Sequence, residues 1–135
     1  MRSAHLALLL TLISTSVAAA GSAAPARAAI VTPLITQALP DLPGKEVLVL
    51  TVEYPPGSVD PVHRHDAHAF VYVLEGTIVM GVDGKQPVTL HAGEVFYESP
   101  ADVHTIGRNA SSKKPARFVV FMLKDIGKPA LLPAN

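Results

Sequence analysis

The chain has 135 residues, 11 basic and 11 acidic side chains, six histidines and no cysteine. That length suits one domain rather than two. Balanced charge without a basic stripe excludes nucleic acid as a partner. The lack of cysteine excludes a disulfide framework, a thiolate metal site and a lipid-bearing cysteine.

The N-terminal segment reads as a leader. Met1-Arg2-Ser3-Ala4-His5 is a weakly basic start, Leu6 to Val17 is largely apolar, and small residues follow. This is the order of a secretory signal peptide, here residues 1–28, and it predicts a periplasmic or secreted protein. The apolar run is shorter than the roughly 20 residues that span a bilayer, so no stable membrane insertion is expected after cleavage. Ala18-Ala19-Ala20 fits a cleavage site before Gly21, and Ala26-Arg27-Ala28 fits one before Ala29. The second leaves 107 residues (135 less 28), with nine basic side chains against eleven acidic.

Ile30 to Leu39 carries Pro33 and runs into Pro40, which predicts at best an edge strand or an arm over residues 29–44. Lys45 to Tyr54 alternates and is rich in Val and Leu, a strand that Pro55-Pro56-Gly57 stops. Phe70 to Leu74 follows, then a turn at Glu75-Gly76 and the run Thr77 to Met80. Asp83-Gly84 marks a hairpin leading to Pro87 to Leu90. His91-Ala92-Gly93 turns the chain into Val95 to Tyr97, and His104 to Arg108 follows Ser99-Pro100. Arg117 to Leu123 is the last long apolar run, and the Pro-rich tail 127–135 is expected to wrap loosely. Short strands at this spacing predict an all-β sandwich or barrel over residues 45–126. Tyr72, Phe96, Tyr97, Phe118, Phe121 and Met122 are expected to form core or pocket lining.

Five histidines follow the leader: His63, His65, His68, His91 and His104. His63 and His65 are two apart beside a strand-like stretch, so in extended chain both face the same way. If that face is the interior, two imidazoles converge, and His104 on a later strand can supply a third. Three neutral imidazoles suit one divalent transition metal (Fe, Mn, Zn, Ni or Cu) and leave coordination positions open. Arg64, between the pair, should point outward, and His91 in its turn should be exposed. Glu98, just before Ser99-Pro100, is a candidate to donate an oxygen or act as a base, or else a solvated strand-end carboxylate.

Gly57-x5-His63-Arg64-His65 followed by Gly76 resembles the first motif of the cupin family, G-x5-H-x-H-x(3,4)-E-x6-G. Gly93 through His104 resembles the second, G-x5-P-x-G-x2-H-x3-N, with Ser99 at its proline position, Ala101 at its glycine position and Asn109 one residue late. The resemblance covers residues 57 to 109 and is of the kind seen in small bacterial cupins. It implies a double-stranded β-helix, or jelly-roll barrel, with His63, His65 and His104 as metal ligands near one barrel mouth. It also implies a homodimer, through the Ile30 to Leu39 arm. One position departs from the family: Ala69 stands where its glutamate ligand belongs. The site is then either three-histidine or four-ligand with His68 in the glutamate's place, and strand alternation favours the former. Without a carboxylate the ligand set is neutral, which would favour an anionic, bidentate substrate such as an enolate.

Three classes of function fit these residues. One is a metal-dependent oxygenase or isomerase acting on a small organic molecule. The second is a non-catalytic module that binds or senses a metal and a small ligand. The third is a structural barrel with vestigial histidines. A shared fold does not choose among them.

Overall fold

The computed structural model describes residues 27–134. The leader therefore lies outside the described residues, apart from Arg27 and Ala28. Ten strands and no helix occupy the described part.

Alternation builds the sheets. In β2 (Lys45–Tyr54) Leu48, Leu50, Val52 and Tyr54 face inward. In β9 (Ala116–Asp125) Phe118, Val120 and Met122 do the same, and the two strands pair antiparallel along their whole length. β4 (Ala67–Glu75) lies on the other side of β9, burying Ala67, Ala69, Val71 and Val73. With β1 (Ile30–Ala38) and β7 (Val95–Glu98), the first sheet has the order β1-β2-β9-β4-β7. The second has the order β10-β3-β8-β5-β6, from β3 (His63–Arg64), β5 (Thr77–Val82), β6 (Val88–His91), β8 (Val103–Asn109) and β10 (Leu132–Pro133). Their inner faces meet in one apolar cluster that includes Leu50, Val52, Tyr54, Ile78, Met80, Phe118 and Met122. This is the jelly-roll architecture expected from the motifs.

Three features differ from expectation or refine it. Residues 30–38 form an edge strand on β2, with a register irregularity between Pro33 and Ile35, where proline lacks its donor. Its nine residues are all exposed. Tyr72, Tyr97 and Phe121 are not in the core: they lie outward, 44%, 45% and 44% exposed, and line a shallow pocket on the outer face of the first sheet, because Val71, Val73 and Met122 occupy the inward register. Phe118 and Met122 are buried as expected, and Phe96 packs partly buried against the core. The tail is not loose: β10 pairs with β3, placing Pro133 opposite His63.

Gly76 is where the chain crosses from β4 in one sheet to β5 in the other. Its φ is +77°, and a Cβ there would lie 2.7 Å from the Pro115 carbonyl oxygen and 2.8 Å from Ala116 Cα. Both the left-handed backbone and the backbone contact therefore demand glycine. Gly76→Ala is expected to cost about 3 kcal/mol of folding free energy in urea melts; a loss below about 0.5 kcal/mol, the level of a neutral surface change, would contradict this account.

Candidate metal centre

The site forms where the second sheet's β3 and β8 face the first sheet's β7. His63 and His104 are direct cross-strand partners, so their side chains share the inner face. His65 follows β3 by one residue, and the exposed Arg64 between the two histidines pairs with Asp66 outside. His63 and His104 are 4% and 3% exposed. His63 Nε2 lies 3.2 Å from His104 Nδ1, and one nitrogen from each of the three rings falls within 4.8 Å of the others.

Two of the rings are fixed by backbone carbonyls. His63 Nδ1–H donates to Pro61 O at 2.8 Å, and His65 Nδ1–H donates to Ala130 O at 2.5 Å. Each bond leaves the Nε2 lone pair for the cluster, the arrangement that orients metal-binding imidazoles. The C-terminal tail thus holds His65 by a hydrogen bond.

Burial pushes His104 down to about 4, with the nearby His63 adding to it, and burial lowers His65 as well. Both are neutral near pH 7, the form that binds metal.

Glu98 completes the cluster. Its partner across β4 and β7 is Ala69, so the two residues point to the same inner face. Glu98 Oε2 reaches 3.5 Å from His104 Nδ1 and 3.6 Å from His65 Nε2. With both imidazoles neutral, these separations are not ion pairs. Burial, reinforced by the charges of Asp102 and Asp60, pushes the Glu98 carboxyl up to about 7. A carboxyl group is therefore present beside the three histidines despite Ala69, supplied by the neighbouring strand.

A divalent cation fits these residues. Glu98 Oε2 is buried, has no hydrogen-bond partner and faces His65 Nε2 and His104 Nδ1. A buried carboxylate oxygen without a donor is costly, and a cation beside it removes that cost. Three imidazoles with one carboxylate form a nitrogen and oxygen donor set for Fe, Mn, Zn, Ni or Cu.

The remaining candidates lie elsewhere. His68 does not join the cluster: it is exposed on the outer face, its Nδ1 2.8 Å from the Tyr97 hydroxyl. Alternation explains this, since Ala69 takes the inward position. His91 is exposed beside Thr77.

A cavity of about 290 Å³ opens beside the cluster. Its walls are apolar, among them Leu50, Val71, Met80, Phe118 and Met122, with Ala28, Ala29 and Val31 and Ala130 and Leu131 contributing from the two ends of the described chain. Tyr54 and Asp60 also line it. Neither was singled out from the sequence as a site residue, although Asp60 stands inside the first motif, three residues before His63.

The family model for the cupin domain, Cupin_2, matches residues 50–122, 73 of the 135 residues. The chain belongs to the cupin family. The solved structures agree with its fold. One similar cupin structure is an uncharacterised conserved protein of Klebsiella pneumoniae with a double-stranded β-helix domain. It is 19% identical, with a TM-score of 0.61 over 78% of this chain and 85% of that one. The DMSP lyase DddQ of Ruegeria pomeroyi is 22% identical, with a TM-score of 0.57 over 64% of this chain and 42% of that one. An oxalate oxidase solved with the substrate analogue glycolate is also 22% identical, with a TM-score of 0.58 over 77% of this chain and 54% of that one. The chain thus spans about half or less of the length of these two enzymes. No curated protein matches it.

Proposed function

We propose that this cupin is an exported, metal-dependent enzyme, an oxygenase or isomerase acting on a small organic molecule. His63, His65 and His104 hold one divalent transition metal, with Glu98 as the fourth ligand. The observation that carries this reading is the unpartnered buried carboxylate oxygen, Glu98 Oε2, facing a three-histidine cluster. A bound ion of this class supplies Lewis acidity and, where it is redox-active, one-electron chemistry.

The protein's own residues support a reaction in several ways. Pro61 and Ala130 carbonyls orient two imidazoles, and apolar walls line the cavity beside them. Two of the similar solved structures are enzymes by name, a lyase and an oxidase. Export is supported by the order of basic start, apolar run and small residues in the leader. A homodimer is supported by β1, an edge strand that exposes Ile30, Val31, Leu34 and Ile35.

Metal analysis of the purified protein tests the centre. The expected result is about one equivalent of a transition metal per chain, with at least a tenfold loss of affinity in His63→Ala and in His104→Ala. Unchanged metal content in both variants would sink the assignment. Oxygen uptake and product analysis with the loaded protein over a panel of β-diketones, phenols and thiols test catalysis. Tight ligand binding without turnover across that panel would make the protein a binding module instead.

A further inference from the structure

The polar groups lining the cavity are few. Apart from the three histidines and Glu98, they are Tyr54 and Asp60, and the other lining residues are apolar or proline. Tyr54 is 1% exposed, and its hydroxyl donates to Asp60 Oδ2. Among the described residues this is the only side-chain hydrogen bond of Asp60. The Asp60 backbone is held as well, its N–H donating to Gly107 O at 2.7 Å. Asn109 Nδ2 donates to Tyr54 O at 3.0 Å and so fixes the end of β2 that carries the phenol.

Gly107 places this pair next to the metal cluster. A Cβ on Gly107 would lie 2.9 Å from Tyr54 Oη, 2.9 Å from Asp60 Oδ2 and 3.2 Å from His104 Cε1. The three side chains meet at a point that stays open only because residue 107 has none. A carboxylate fixed in this way accepts hydrogen bonds and, when ionised, cannot donate them. Asp60 is half-buried, and an acceptor partly shielded from water discriminates against a ligand that offers no donor. Glu98 in the same cavity adds a second acidic group, which disfavours an anionic ligand.

We propose that Asp60, pinned by Tyr54, is a ligand-binding subsite of this cavity. It selects a neutral molecule of about ten heavy atoms or fewer, the size that fits some 290 Å³ at roughly 30 Å³ per small heavy-atom group. That molecule has an apolar body and an O–H or N–H donor, which Asp60 accepts. The inference rests on the reading above that this cavity admits a small organic molecule. It does not require the ion.

Phenol and anisole test it, because they share an apolar ring and differ in the donor; benzoate adds an anionic competitor. Binding to the full chain is measured by calorimetry, both metal-free and loaded with Zn(II). Phenol is expected to bind about tenfold or more tighter than anisole in both states, and than benzoate in the metal-free state, the discrimination typical of a hydrogen bond to a charged acceptor. Asp60→Asn should erase most of that preference with Zn(II) stoichiometry unchanged. Tyr54→Phe, of nearly the same shape, should narrow it several-fold, and decides the matter if Asp60→Asn fails to fold. Equal binding of phenol and anisole to the metal-free wild type, a metal-free preference for benzoate, or a preference unaltered in the variants would overturn the proposal. A preference intact in a protein that takes up no Zn(II) would support the subsite and count against the metal centre.

Discussion

Glu98→Gln is expected to make the metal-free protein more stable at pH 8 and, at the same time, a poorer metal binder. The buried carboxyl titrates at about 7, against 4.5 without burial. Between those values the unfolded chain has released this proton and the native protein still holds it. Stability therefore falls as pH rises through that window, and above about pH 7 the whole penalty is present. It amounts to about 3 kcal/mol at roughly 1.4 kcal/mol per pH unit. Glutamine fills the same space without a charge and removes the penalty.

His104 works in the opposite sense. Its native value of about 4 lies below the unfolded 6.5, so stability is lost as pH falls from 6.5 towards 4. In the wild type the two slopes oppose each other between pH 4.5 and 6.5. In Glu98→Gln the opposing slope of Glu98 is gone, and stability should drop more steeply below pH 6.5 than in the wild type. Urea melts in chelator from pH 4 to 8 read both effects. Added metal should then reverse the order of the two proteins, because it stabilises the carboxylate form. Equal stability at pH 8, or equal metal affinity, would refute the placement of Glu98 in the cluster.

The second large effect concerns the tail. Ending the chain at Lys128 removes the Ala130 carbonyl that holds His65 and the β10 strand that pairs with β3. It keeps the turn in which Lys128 O accepts from Lys124 and Gly127 N–H donates to Glu46. Metal affinity is expected to fall about 10- to 100-fold, the usual effect of losing an outer partner of a liganding histidine. The melting transition should shift far less, since the tail contributes only a two-residue pairing to the sheets. A competition titration with a chromophoric chelator measures the first quantity, and thermal melts in chelator the second. Full affinity in the shortened chain would mean that His65 needs no help from the tail.

Much of the molecule was legible in the sequence. β2 was read to the residue, Lys45 to Tyr54, because strict alternation bounded by prolines admits few alternatives. The convergence of His63, His65 and His104 followed from period-two geometry and the family spacing. What was not legible depends on strand register. Phe70 to Leu74 is apolar at every position, so periodicity does not say which face its aromatics take; Tyr72 went outward for that reason. Glu98 could be named as a candidate, but its position opposite Ala69 appears only once β4 and β7 are paired. The His65–Ala130 bond joins residues 65 apart in sequence that only the folded chain brings together, and the Tyr54–Asp60 pair depends on how the turn between them folds back.

The position of the ligands has a mechanical consequence. His63, His65 and His104 belong to one sheet or its margin, and Glu98 to the other. A single ion on all four would tie the two sheets together and close chain loops, as a disulfide does in many small domains. In a chain with no cysteine, metal supply would then set how tightly the sandwich is clamped, and chelation would leave it easier to prise apart and to digest.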